Sequence, residues 1–126
     1  MKIKRFELNN IREVILQIGD TKGPIKTQYK LVKLKKIADE EQQIYQDLVD
    51  KNCLQFLKKD ENGKLIPHPS GGYTIQEDKI EECNNTIAEI LDTEIEINDI
   101  TFTLDELEGL GLSLVQMEAM MAVIEE

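Results

Sequence analysis

Tryptophan is absent from the chain, and phenylalanine and tyrosine occur only three times each. Ile, Leu, Val and Met must therefore supply the interior. Histidine occurs once, as His68 between Pro67 and Pro69. With no nucleophile beside it in sequence, it reads as a loop spacer rather than a general base. The two cysteines, Cys53 and Cys83, lie alone in apolar periodic segments, outside any Cys-x-x-Cys or Cys/His pattern, so no structural zinc motif is present. Buried free thiols in a reducing cytosol is the favoured reading, and a disulfide is the alternative. No apolar run approaches the roughly 18 residues of a membrane span. The opening Met1-Lys-Ile-Lys-Arg-Phe-Glu7 lacks the apolar stretch of a secretory leader, so a cytoplasmic protein without membrane contact is expected.

Phosphate-cradling glycine motifs are also missing: there is neither Gly-x-x-x-x-Gly-Lys nor Gly-x-Gly-x-x-Gly. The run Asp92-Thr-Glu-Ile-Glu-Ile-Asn98 is rich in acids, but it lacks the glycine and spacing of a calcium loop and alternates like a strand. Acidic pairs are too numerous to single out a general acid and base. No catalytic, cofactor-binding or metal-ligating residue is assigned, and a non-enzymatic protein without cofactor is expected.

What the chain does have is charge, laid out unevenly. Residues 1–36 carry ten Lys/Arg against three acids, about +7. Residues 37–76 carry four Lys against seven acids, about −3, and residues 77–126 carry fifteen acids against Lys79 alone, about −14. A basic first third and an acidic last third invite attraction within the fold or between copies. At 126 residues and 40% hydrophobic content, the chain should form a single globular domain (1–126) with one core.

The apolar spacing predicts an α+β, mainly helical fold: a long central helix, three or four shorter helices and a small antiparallel sheet. Residues 2–8 read as a strand through Ile3, Phe6 and Leu8. Asn10-Ile-Arg-Glu13 has capping-box spacing, and Ile11, Val14, Ile15 and Ile18 give a one-faced helix stopped by Gly19. A long helix follows over about 24–57, either broken near Asp39–Glu41 or protruding. Its lysines (22–36) sit at the end where the helix dipole prefers anions. Residues 58–76 read as a variable hairpin or loop, with Asn62-Gly63 as its turn. Thr74-Ile-Gln-Glu77 reads as the cap of a helix carrying Ile80, Cys83, Ile87, Ile90 and Leu91. Glu94–Asn98 alternates as a half-buried strand, which Ile100-Thr-Phe102 extends or folds back on. Lys2, Lys4 and Arg5 should face Glu94 and Glu96 across the sheet. Thr103-Leu-Asp-Glu106 and Ser113-Leu-Val-Gln116 cap two final helices.

Two surfaces are candidate interfaces. Leu34, Ala38, Tyr45 and Leu48 form a coiled-coil-like seam on the long helix, which suits an antiparallel homodimer. Met117, Met120 and Met121 form an adaptable cluster near the C-terminus, where core packing is the competing reading. Direct nucleic-acid binding by the lysine row is disfavoured: only Tyr29 is interleaved as a stacker, and the pI is about 4.6.

Taken together, the stretch from Glu94 through Leu107-Glu-Gly-Leu110 to Met120 and the opening Met1-Lys-Ile-Lys4 resemble a family of small phage and prophage proteins of unknown function from tailed phages of Gram-positive bacteria. The resemblance covers nearly the whole chain and carries no catalytic residue. It implies a phage-encoded accessory protein made in the bacterial host cell, acting in assembly or late-region functions through contacts with a phage or host protein. The alternative is an acidic inhibitor of a host protein such as a defence nuclease, its carboxylates standing in for a phosphate backbone.

Overall fold

In the computed structural model, residues 1–19, 21–97 and 100–125 are described. The architecture is α+β and mainly helical, with one two-stranded antiparallel sheet among the described residues. Two compact units form, residues 1–43 with 92–126 and residues 44–91. Where one core was expected, the buried side chains gather in two clusters.

The larger unit opens on β1 (Lys2–Lys4), paired antiparallel with β2 (Glu94–Glu96) in the register Lys2↔Glu96, Ile3↔Ile95, Lys4↔Glu94. Both isoleucines are buried, so the alternation fixes which face points inward and opposite charges meet on the other. Each cross-strand pair contributes roughly 0.2–1 kcal/mol. The expected end of β2 at Asn98 lies outside the described residues. β1 is shorter than the alternation suggested, because α1 (Arg5–Gln17) begins directly after Lys4. Leu8 belongs to the helical stripe of Ile11, Val14 and Ile15, all buried, rather than to the strand. Asn10 is therefore interior to α1 and caps nothing. The helix is opened instead by the Glu7 carboxylate, which accepts the Lys4 backbone N–H at 3.0 Å. Arg5 does not face the β2 acids: its side chain is buried, and its backbone N–H donates to the Thr93 carbonyl at 2.8 Å.

The long helix α2 runs from Ile25 to Cys53, without a break at Asp39–Glu41, and continues as a 3-10 turn to Phe56. Leu31, Leu34 and Ala38 join the core of the larger unit with Ile97, Ile100 and Phe102. Phe102 is fully buried. Its backbone pairs with the final segment, its N–H donating to Val123 and its carbonyl accepting from Glu125, both at 2.8 Å. The short helices α4 (Leu104–Glu108) and α5 (Leu114–Met120) take the caps expected of them. Thr103 Oγ1 accepts from Glu106 N–H and Ser113 Oγ from Gln116 N–H, both at 3.2 Å, while the Glu106 and Gln116 side chains bond back. Such caps contribute about 1 kcal/mol each.

In the smaller unit, residues 57–59, 65–67 and 73–75 close a ring of single bridges, Leu57↔Ile75, Lys59↔Leu65 and Pro67↔Tyr73. Lys58 N–H donates to Thr74 O, Thr74 N–H to Ile66 O, and Ile66 N–H to Lys58 O, so each segment holds the other two. The Asn62-Gly63 turn forms as expected: Gly63 has φ +78°, and the Asp60 carboxylate accepts the N–H groups of Asn62 and Lys64. Thr74 does not cap the next helix: it belongs to the ring, with its N–H donating to Ile66 and its hydroxyl to the Pro67 carbonyl, and Gln76 precedes the first turn. Entry is instead through a 3-10 turn, Glu77–Lys79, leading into α3 (Ile80–Leu91). Cys53, Phe56 and Cys83 form the small core with Val49, Ile75 and Ile87.

Candidate functional site

The larger unit carries an open groove of about 520 Å³ between α1 and α5. On α1, Phe6, Asn10, Glu13 and Gln17 recur at helical spacing on the side turned from the buried stripe. On α5 and the turn after it, Val115, Glu118, Ala119 and Met121 supply the facing wall. Val115 and Met121 are 75% and 62% exposed, so apolar surface is left in water where polar side chains would cost nothing. Among the described residues, three carboxylates, from Glu7, Glu13 and Glu118, line the groove, and no lysine or arginine does. A polar link crosses it, from the Gln116 amide to Gln17 Oε1 at 2.9 Å. The arrangement is an apolar floor with an acidic rim, which fits a cationic amphipathic helix better than a small polar substrate.

The anticipated interface residues divide. Leu34, Ala38 and Met120 are buried in the unit's own core, so they are not surface. The seam on α2 faces inward along its first half, because α1 and the C-terminal segments cover it. Tyr45, Leu48 and Met117 are half-buried, and Met121 alone is well exposed. Burial raises the pKa of the Tyr45 phenol. Phe6, Glu13, Val115 and Glu118 were not anticipated. The only sequence signal for them is that Val115 is apolar yet off the α5 stripe.

Two lysines of the row, Lys30 and Lys35, are held by acids of their own chain. Lys30 Nζ donates to Glu106 Oε1 at 2.8 Å and lies 5.6 Å from the centre of the Phe102 ring. Thr27, which is buried, donates its hydroxyl to Glu106 Oε2 at 3.3 Å. The hydrogen bond from Lys30, helped by the Thr103 N–H and the lysine's charge, holds the Glu106 carboxyl at about 2 against the opposing effect of burial. Arg12 and Lys35 both donate to Asp39, at 2.8 and 2.7 Å, and lower its pKa. Arg5, the most deeply placed cation, donates to the Glu41 carboxylate at 2.9 Å and to Thr93 Oγ1 at 3.1 Å.

His68 is exposed, and its Nδ1 accepts the Ser70 backbone N–H at 3.1 Å, which is a turn-stabilising role. Cys53 and Cys83 are free and buried together. Burial first, then the neighbouring Cys83, pushes the Cys53 thiol up to about 11. Among the described residues, no group of three or more His, Cys, Asp or Glu is placed to hold a metal ion, and no helix is long and apolar enough to cross a membrane. No family model matches the chain, and no curated protein or solved structure matches it either.

Proposed function

We propose that this is a non-enzymatic accessory protein that acts through protein–protein contacts, with the α1/α5 groove as its docking site for a cationic amphipathic helix. The carrying observation is the coincidence, in one groove, of exposed Phe6, Val115 and Met121 with a rim of carboxylates that lacks any cation. The likeness to small proteins of tailed phages supports a phage-encoded role in the bacterial cytoplasm, in assembly or late-region functions. Helix-in-groove recognition takes its affinity from a few apolar anchors and its selectivity and on-rate from charge.

The test is titration of the protein with a fluorescently labelled, helix-forming Leu/Lys peptide, followed by anisotropy. Binding should saturate and should weaken tenfold or more in Met121→Lys and in the double variant Glu13→Lys/Glu118→Lys. All three positions are solvent-facing, so the fold should tolerate these changes. Absence of saturable binding, or equal binding by the groove variants, would remove the docking assignment.

A further inference from the structure

We infer that the helix received by this groove is α2 of a second copy of the same chain, entering by the edge that carries Ile25, Tyr29 and Val32. The inference rests on the groove being a docking site and adds the identity of its occupant.

Ile25, Tyr29 and Val32 stand at i, i+4 and i+7 and are 83%, 65% and 56% exposed. That spacing puts them in one line along α2, the anchor pattern of a helix that lies in a groove. Lys36, at i+11, continues the line, and Lys26 and Lys33 flank it at about 90° around the helix. None of these three lysines forms an ion pair among the described residues, whereas Lys30 and Lys35, on the sides turned toward the unit's own chain, do. In the groove, Glu13 and Glu118 are likewise exposed and without a cation among the described residues. The two surfaces therefore complement each other twice, apolar line to apolar floor and spare lysines to spare carboxylates. The net charge of −10 opposes association at long range, but beyond about 10 Å at 0.1 M salt that repulsion is largely screened while contacting pairs are not.

The geometry also sets the symmetry. On α1 the groove is lined by Phe6, Asn10, Glu13 and Gln17. The hollow leading to α2 is lined by Ile15, Leu16 and Ile18 with Leu31 and Val32. At about 100° per residue these are opposite flanks of α1. Giving and receiving surfaces are thus distinct, and the contact is head-to-tail: it continues into a chain or closes into a ring rather than stopping at a two-fold dimer.

The experiment uses two single-defect variants of the full chain, Tyr29→Asp on the donating edge and Met121→Lys in the groove, both at exposed positions. Sedimentation velocity is run from low-micromolar to near-millimolar concentration at about 0.1 M and about 1 M salt. Wild type should grow beyond twice its 14.5 kDa at the lower salt and dissociate at the higher. Each variant alone should remain monomeric, and their equimolar mixture should form a 1:1 pair that grows no further, because only one productive contact is left. A wild type that stays monomeric at every concentration overturns the inference. So does a mixture that fails to pair, or a Tyr29→Asp variant that still self-associates. If the wild type is monomeric but the Leu/Lys peptide still saturates the groove, the occupant is wrong and the docking site stands. If neither occurs, both fall.

Discussion

Replacing Arg5 by Met should destabilise the protein by about 3 kcal/mol. The guanidinium side chain is 7% exposed and donates three hydrogen bonds: to Thr93 Oγ1 at 3.1 Å, to the Glu41 carbonyl at 3.0 Å and to the Glu41 carboxylate at 2.9 Å. Methionine keeps an apolar stem of similar reach, so the substitution isolates the charge and its bonds from the packing. Removing one partner of a buried ion pair usually costs 3–5 kcal/mol, because the remaining charge is stranded. The Glu41 side chain keeps 22% of its surface in water and can partly rehydrate, which places the cost at the lower end, about 3 kcal/mol. The backbone bond from residue 5 to the Thr93 carbonyl persists in the variant, so the start of α1 should stay tied to the segment before β2. Urea unfolding followed by far-UV circular dichroism reads the effect, since there is no tryptophan to report it. Adding Glu41→Met to Arg5→Met should recover most of the loss, because an apolar pair of similar volume often matches a buried ion pair. A loss below about 1 kcal/mol for Arg5→Met, or no recovery in the double variant, would show that the pair is not what holds α1 to α2.

Two further outcomes follow from the titrating groups. Glu106 has its folded value lowered from 4.5 to about 2, so the stability it contributes is complete above about pH 4.5 and is lost as pH falls toward 2. At 1.36 kcal/mol per unit the shift corresponds to at most about 3 kcal/mol. Partial solvent contact of Lys30 and Glu106 brings this nearer 2. Glu106→Gln, which can still accept the Thr103 N–H, should flatten the acid limb of a stability–pH curve. An unchanged limb would exonerate Glu106. The Cys53 thiol, pushed from 9.0 to about 11, holds roughly a hundredfold less thiolate than an ordinary cysteine near neutral pH. A disulfide-exchange reagent should therefore label it only as fast as the smaller unit opens, and labelling at the rate of the denatured chain would contradict its burial.

How much of this was legible in the sequence depended on how local each cause was. Thr103-x-x-Glu106 and Ser113-x-x-Gln116 could be read because cap and capped group lie within four residues, and the further bonds of Glu106 to Lys30 and Thr27 leave the cap intact. Asn10-x-x-Glu13 and Thr74-x-x-Glu77 share that spacing and cap nothing. Leu8 had already extended the α1 stripe backward, and Thr74 was held in the ring by its N–H to Ile66 and its hydroxyl to Pro67. That Lys2 and Lys4 would face Glu94 and Glu96 was legible across ninety residues or more, because both segments alternate and burying Ile3 and Ile95 puts the opposite charges on one face; the register came from the structure. The interface was not. Leu34 and Ala38 satisfy an apolar periodicity that core and seam share, and only the placement of α1 and the C-terminal segments decides between them. The groove was hidden for the same reason, since its walls come from opposite ends of the chain and, of the residues offered beforehand, only Met121 lies in it.

The unequal charge of the chain then takes on a specific meaning. A basic first third and an acidic last third could have neutralised each other without remainder, and part of each does: Lys4 with Asp92 and Lys30 with Glu106 join the two ends within the larger unit. Within the first third and the segment after it, Arg5, Arg12 and Lys35 are taken up by Glu41 and Asp39. Of the first-third cations left without an ion pair among the described residues (Lys2, Lys22, Lys26, Lys33 and Lys36), the last three are not scattered. They border the one line of α2 where Ile25, Tyr29 and Val32 face water. Glu13 and Glu118, two acids without an ion pair among the described residues, border a second exposed apolar surface of the same unit, the groove with Phe6, Val115 and Met121. Solubility alone favours charge of either sign beside an exposed apolar residue. Opposite signs on two separate apolar surfaces do something more. Like surfaces repel, unlike surfaces attract, and a wrong pairing of groove with groove or edge with edge is penalised before any apolar contact forms. That pattern gives an association a direction, and the mixed-variant sedimentation experiment is the measurement that reads it.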